Sequence, residues 1–191
     1  MRSLRPFAAA LAFATCAALC APPAGRATTP APETGPRIKI ITSAGNIVVV
    51  LDPKHAPKTV ANFLFYVGEK FFDGGTFFRA IPGFVIQGGN KAREKPSDPT
   101  VALETPSKTG IKNTDGAISM ARTSDPNSAT SEFFICDGQQ PALDGSDTQP
   151  GYAAFGHVIS GMELVRKISH APAADEMLVS PVKIIQIVRL P

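Results

Sequence analysis

"TFFRAIPGFVIQGG", residues 76–89, sets one cation among phenylalanines and branched residues and ends in a polar amide and two glycines. Runs of mostly apolar residues on either side of Pro82-Gly83 read as two short strands joined by a tight turn. Alternation places Phe77, Arg79 and Ile81 on one face and Phe78 and Ala80 on the other. Past the turn, Phe84, Ile86 and Gly88 share one direction, with Val85 and Gln87 opposite. The two segments can gather a guanidinium, an amide and aromatic faces, the make-up of a small ligand pocket. The alternative is that Arg79 snorkels from a barrel edge while Gln87 caps a turn.

The flanking sequence decides what kind of sheet these strands join. "RIKIIT" and "NIVVVL" are runs of branched residues separated by "SAG", a hairpin signal. In "HAPKTVANFLFYVGEKF" the period changes: Val60, Phe63, Leu64 and Val67 fall at helical spacing, with Pro57 in the first turn. From residue 75 to 160 short apolar runs are broken by Gly, Pro, Asn and Asp. "GMELVRKI" then predicts a second helix and "VKIIQIVRL" a final strand. Many short strands with two helices and no internal repeat predict a mainly β chain, an antiparallel barrel or sandwich.

The N-terminus reads differently. Arg2 and Arg5 precede an apolar stretch from Phe7 to Ala21, then Pro22, Pro23 and a small-x-small site at Gly25-Arg26-Ala27. That is the layout of a secretory signal peptide, and the stretch is shorter than the ~20 residues a membrane span needs. We expect residues 1–27 to be a signal peptide cleaved after Ala27, leaving no membrane span. Residues 28–36 are expected to form a proline-rich tether and residues 37–191 one domain. A lipid anchor on Cys16 or Cys20 is the alternative, poorly served by Thr15 and Leu19. The expected location is outside the cytoplasm, in the periplasm.

Cleavage removes three arginines and no acid, taking the formal charge from +3 to 0. No Lys/Arg run remains to neutralise a phosphate backbone, so nucleic acid is not an expected partner. Cys136 is left as a lone cysteine in an apolar setting, expected to be buried and inert. No GxSxG, HExxH, P-loop, GxGxxG or CxxC pattern is present. "LDGSDTQPG", residues 143–151, lacks the ligand series of a calcium loop and reads as a solvated turn.

At the level of whole blocks, "DGGTFFRAIPGFVIQGGN" resembles the central signature of the cyclophilin-type peptidyl-prolyl isomerases. "ISMART", "SATSEFFIC", "LDG" and "GYAAFGHVISGMELVRKI" resemble the rest of that family's core in the same order. The resemblance runs from about Ile38 to Leu190 and is most like the exported bacterial members. It implies an eight-stranded antiparallel barrel closed by two α-helices, and rotation of X-Pro bonds in exported proteins, with no cofactor or metal. A non-enzymatic peptide-binding module or holdase using the same groove is the alternative. The resemblance also implies roles. Arg79 matches the catalytic arginine, and Phe84, Val85, Phe134 and Leu143 the pocket for the proline ring. Gln87 matches the amide that holds the substrate backbone; Ala121 and Arg122 match the stretch running beside the peptide.

Three positions depart from the family pattern. Ala142 stands where many members carry a tryptophan or phenylalanine, which implies weak cyclosporin binding. Tyr152 takes the place of a common pocket histidine, and can still donate a hydrogen bond and pack on the proline. Glu132 replaces a common glutamine, adding a negative charge near the groove. The expected partners are proline-containing polypeptides, and the expected state is a monomer.

Overall fold

The first hairpin is β1 (Arg37–Thr42) and β2 (Gly45–Leu51), joined by a two-residue turn. The computed structural model describes residues 34–146 and 148–191. The expected signal peptide, most of the tether, Cys16, Cys20 and Asp147 lie outside the described residues.

Helix α1 spans Pro57–Gly68. Its N-cap residue, Ala56, has no side-chain acceptor for the free N–H groups of the first turn. Glu104 supplies it from a distant loop, accepting from the Lys58 and Thr59 amides at 3.2 and 2.8 Å and from the Thr59 hydroxyl at 2.7 Å. A carboxylate there also opposes the positive end of the helix dipole.

The strands that follow are β3 (Thr76–Ile81), β4 (Val85–Gly89), β5 (Ala117–Met120), β6 (Phe133–Cys136) and β7 (Ala154–Ser160). A short helix α2 (Pro106–Thr109) and a 3-10 turn (Pro141–Asp144) lie between them. After β7 come helix α3 (Met162–Ser169), a two-residue strand β8 (Ala173–Ala174) and the long β9 (Met177–Arg189). The order around the sheet is β1-β2-β7-β5-β6-β4-β3-β9, and β9 pairs again with β1. Eight antiparallel strands therefore close into a barrel, with β8 appended to β9 alone. Closure removes the open edges that a sheet of this size would otherwise expose. Both predicted helices are present, and among the described residues no helix is long and apolar enough to cross a membrane.

The barrel interior is aromatic. Phe63 of α1 lies 5.2, 5.5 and 5.1 Å from the rings of Phe72, Phe133 and Phe155, and Phe77 packs edge-on to Phe133 at 5.7 Å. Ile86, Ile118 and Ile135 stand in one row across β4, β6 and β5, all fully buried. Gly88 faces Phe77 across the β3–β4 ladder, where a Cβ would come within 2.8 Å of the ring. That close approach explains the glycine that follows Gln87.

Simple alternation fails at two points. Against β4 the register of β3 shifts between Phe77 and Arg79, so Phe78 is the extra residue of a bulge; the β9 ladder is interrupted at the same place, with Leu178 to Pro181 of β9 left between the pairs. Phe77 faces the core at 0% exposure, while Arg79 emerges on the outer surface instead of sharing its face. Phe84 likewise departs from Ile86: it sits in the turn before β4 and packs outside, whereas Ile86 points in. A bulge is invisible to period-two counting because it adds one residue without changing composition.

Candidate functional site

The bulge puts Arg79 on the outside of the barrel in register with Gln87 of β4, and Gln87 in register with Phe134 of β6. Directly opposed residues share a face, so these three side chains form one row across the wall. Arg79 does not merely snorkel. Its Nη1 donates to Gln87 Oε1 at 3.1 Å, and Gln87 Nε2 donates to Glu132 Oε2 at 2.6 Å. On the other side, Nε and Nη2 of Arg79 both donate to Glu176 Oε2, at 2.9 and 2.7 Å. Among the described residues, one N–H on each terminal nitrogen has no hydrogen-bond partner.

Beside this polar row lies an apolar cluster separate from the barrel core. Val85, Ala117, Phe134 and Cys136 form its base, with half-buried Phe84, Ala121, Leu143 and Tyr152 packed against them. All the apolar residues expected around a proline ring are thus brought together. Phe134 and Tyr152 meet edge to face with centroids 5.5 Å apart. Burial of the Cys136 thiol pushes its pKa well up, with nearby Asp144 and Asp115 adding to the shift, so it is an inert part of the base.

Leu143 and Tyr152 come from a loop that needs fastening. Asn113, 1% exposed, does this: its amide donates to the Leu143 and Tyr152 carbonyls at 3.0 and 3.3 Å and to Asp144 Oδ1 at 3.0 Å. Its own oxygen accepts from the Ser119 hydroxyl at 2.6 Å. Tyr152 N donates to Leu143 O at 2.8 Å, closing the loop's base. Gly151 is required there, because a Cβ would lie 2.4 Å from the Asp144 carbonyl. Arg122 stacks over the Tyr152 ring, 4.5 Å from its centroid, and donates to Pro150 O at 2.6 Å. Its side chain therefore braces the far wall, a use the sequence does not announce. Ala142 lies exposed on the 3-10 turn. Asn113, Ser119 and Glu176 were missed by sequence reasoning. Asn113 and Glu176 act across long stretches of chain, and Ser119 matters only through its bond to Asn113, so none belongs to a local pattern.

Glu132 is the electrostatic oddity. Burial raises its pKa above the ordinary glutamate value, and nearby Glu94 adds to this; the Gln87 hydrogen bond and Lys91, 3.8 Å away, oppose it. A carboxyl whose folded pKa exceeds its unfolded one favours the fold when protonated, and that contribution is lost as pH rises through the folded pKa. The ionised group is therefore a cost at neutral pH. Replacing Glu132 with glutamine keeps the acceptor for Gln87 and removes that cost. Thermal melts of Glu132→Gln should show a higher Tm than the parent at pH 7.5, with the gain vanishing below the ordinary value of 4.5. A gain that instead grew with acidity would reject this account.

Comparison with known proteins places the chain in a family. A family model described as "Cyclophilin type peptidyl-prolyl cis-trans isomerase/CLD" matches residues 37–189. Peptidyl-prolyl cis-trans isomerase A of Dickeya dadantii is 44% identical over 142 residues, covering 73% of this chain and 74% of its own length. A peptidyl-prolyl cis-trans isomerase of Acinetobacter baylyi is 40% identical over 156 residues, 78% of this chain and 83% of its own. The crystal structure of a cyclophilin type isomerase from Cryptosporidium parvum superposes with a TM-score of 0.72 at 25% identity, covering 83% of this chain and 99% of that one. A further structure of that protein, determined in the presence of the dipeptide Ala-Pro, gives a TM-score of 0.71 at 26% identity, covering 81% of this chain and 99% of that one. The chain belongs to the cyclophilin-type peptidyl-prolyl cis-trans isomerase family and is an enzyme of that class.

Proposed function

We propose that the enzyme assists the folding of exported polypeptides, with Arg79 as its catalytic residue. The observation that supports this most directly is a fixed guanidinium, part of its fork uncommitted, bordering an apolar cluster on the outer face of the barrel. Rotation of an X-Pro bond breaks amide resonance, a barrier of ~18–20 kcal/mol. No covalent bond is made or broken, so the protein needs only to bind the twisted amide better than the planar one. In the twisted state the prolyl nitrogen becomes pyramidal and regains a lone pair. An Arg79 N–H donating to it stabilises that state and gains nothing from the planar one.

Phe84, Val85, Phe134, Leu143 and Tyr152 would hold the proline ring, with burial worth ~25 cal/mol for each Å² of apolar surface removed from water. Gln87 would bond the substrate backbone through what Arg79 and Glu132 leave of its amide. Ala121 and Arg122 would lie along the peptide and hold one end while the other rotates. Recognition of one ring and a short backbone stretch makes the substrate range broad. Ala142 leaves one wall without a ring, which supports weak cyclosporin binding.

The export part rests on the N-terminal pattern and on the neutral charge left once it is removed. Titrating an Ala-Pro peptide into the labelled protein should move the amide signals of Phe84, Gln87, Ala121, Phe134, Leu143 and Tyr152; shifts confined to other faces of the barrel would refute the groove. A mass measurement on the protein recovered from separated periplasmic and cytoplasmic fractions tests export. Periplasmic protein beginning at Thr28 supports it, and cytoplasmic protein retaining Met1 rejects it.

A further inference from the structure

The contact between Glu176 and Arg79 joins residues 97 positions apart and has no counterpart in the sequence reading. Glu176 occupies the turn between β8 and β9, where Ala174 and Met177 are paired and only Asp175 and Glu176 lie between. Both turn residues have positive φ, 49° and 66°. Two-residue turns of that hand favour Asn and Gly, and a glutamate is a poor choice for the backbone. Its side chain supplies the missing reason. One carboxylate oxygen takes both Nε and Nη2 of Arg79. The same residue's carbonyl accepts the Ala80 amide at 2.9 Å, and Met177 is in register with Arg79. The carboxylate is thus tied to the very strand that carries the guanidinium.

We propose that Glu176 is a positioning residue for the isomerisation: it holds the Arg79 guanidinium in the plane that leaves its remaining N–H groups facing the groove. This rests on the reading of Arg79 as the catalytic residue. Two effects of the carboxylate oppose one another, since it also offsets the charge of the cation it holds. The pair is open to water, with side-chain exposures of 30% for Arg79 and 52% for Glu176, so solvent already screens the charge and little of it is lost to the catalytic task. Ordering is the larger effect. Without Glu176 the long arginine side chain keeps one hydrogen bond among the described residues, to Gln87, and regains most of its rotamer freedom.

The test is kcat and KM for an Ala-Pro peptide, with Tm, for the parent, Glu176→Asn, Glu176→Gln, Arg79→Ala and the Arg79→Ala/Glu176→Asn pair. Asparagine suits the turn, so Glu176→Asn should melt at the same temperature or higher. Its kcat should fall about fivefold with KM unchanged, as expected when only transition-state alignment is lost. Glu176→Gln, which keeps one acceptor of the same reach, should recover part of the loss. In the Arg79→Ala background Glu176→Asn should change nothing further. An unchanged or higher kcat in Glu176→Asn, a loss expressed in KM alone, or the same loss without Arg79 would each overturn the proposal while leaving Arg79 in its role. Full activity of Arg79→Ala would overturn the role of Arg79 itself, and that of Glu176 with it.

Discussion

Arg79→Ala should lower kcat/KM for an Ala-Pro peptide by about 100-fold or more, the size of effect seen when a preorganised donor to a transition state is removed. The fold should survive the change. Arg79 stands on the outer surface, its neighbours Phe77 and Ala80 keep their places in the core, and the exposed pair with Glu176 is worth at most about 1 kcal/mol. Peptide binding should survive as well, because the apolar cluster is untouched. Arg79→Lys should fall well short of restoring the rate, since an ammonium keeps the charge but loses the planar fork that Gln87 and Glu176 hold. Stopped cis-to-trans measurements on the two variants decide the matter. Near-parental rates in Arg79→Ala would move the chemistry elsewhere in the groove.

The second large effect separates two adjacent phenylalanines. Phe133 is fully buried, edge-on to Phe63, Phe72 and Phe77 at 5.5 to 5.7 Å. Phe133→Ala should cost about 3–5 kcal/mol, a large part of the ~5–15 kcal/mol that holds a typical domain together. At roughly 2–4 °C for each kcal/mol in a chain of this size, Tm should fall by on the order of 10 °C. Phe134 points the other way, into the shallower outer cluster. Phe134→Ala should lower Tm less and lower kcat/KM by at least about tenfold, because it removes a ring from the cluster proposed to hold the proline. Thermal melts and peptide kinetics on both variants provide the check. Equal losses of Tm with unchanged kinetics for Phe134→Ala would mean that Phe134 serves only to hold the barrel.

The barrel was legible where local patterning is strong: in the branched runs of β1 and β2, in the helical spacing of Val60, Phe63, Leu64 and Val67, and in the final strand. The order of the strands was not, because pairing β5 with both β6 and β7 is decided by closure of the whole sheet. The bulge at Phe78 was missed because an extra residue in a uniformly apolar run leaves no mark. The turn that carries Glu176 was missed because its residues, Asp175 and Glu176, lack the glycine or asparagine that signals left-handed backbone. Of the site, the block resemblance named Arg79, Gln87 and the apolar wall, and the structure gathers those side chains on one face. The braces behind them, Asn113 and Ser119 under the loop and the side chain of Arg122 over Tyr152, depend on contacts across about 30 residues or more in most cases, which no window of sequence contains.

The wall between core and groove is one strand thick, and its two faces carry separate apolar clusters. Along β6, the side chains of Phe133 and Ile135 support the barrel, while those of Phe134 and Cys136 support the pocket. Stability and specificity are therefore written on alternate letters of the same four-residue word. The two sets of side chains pack in separate clusters, so changes to one set should couple to the other mainly through shifts of the strand backbone they share. The outward-facing residues of such a wall can be exchanged while the side chains that pack the barrel behind it keep their places.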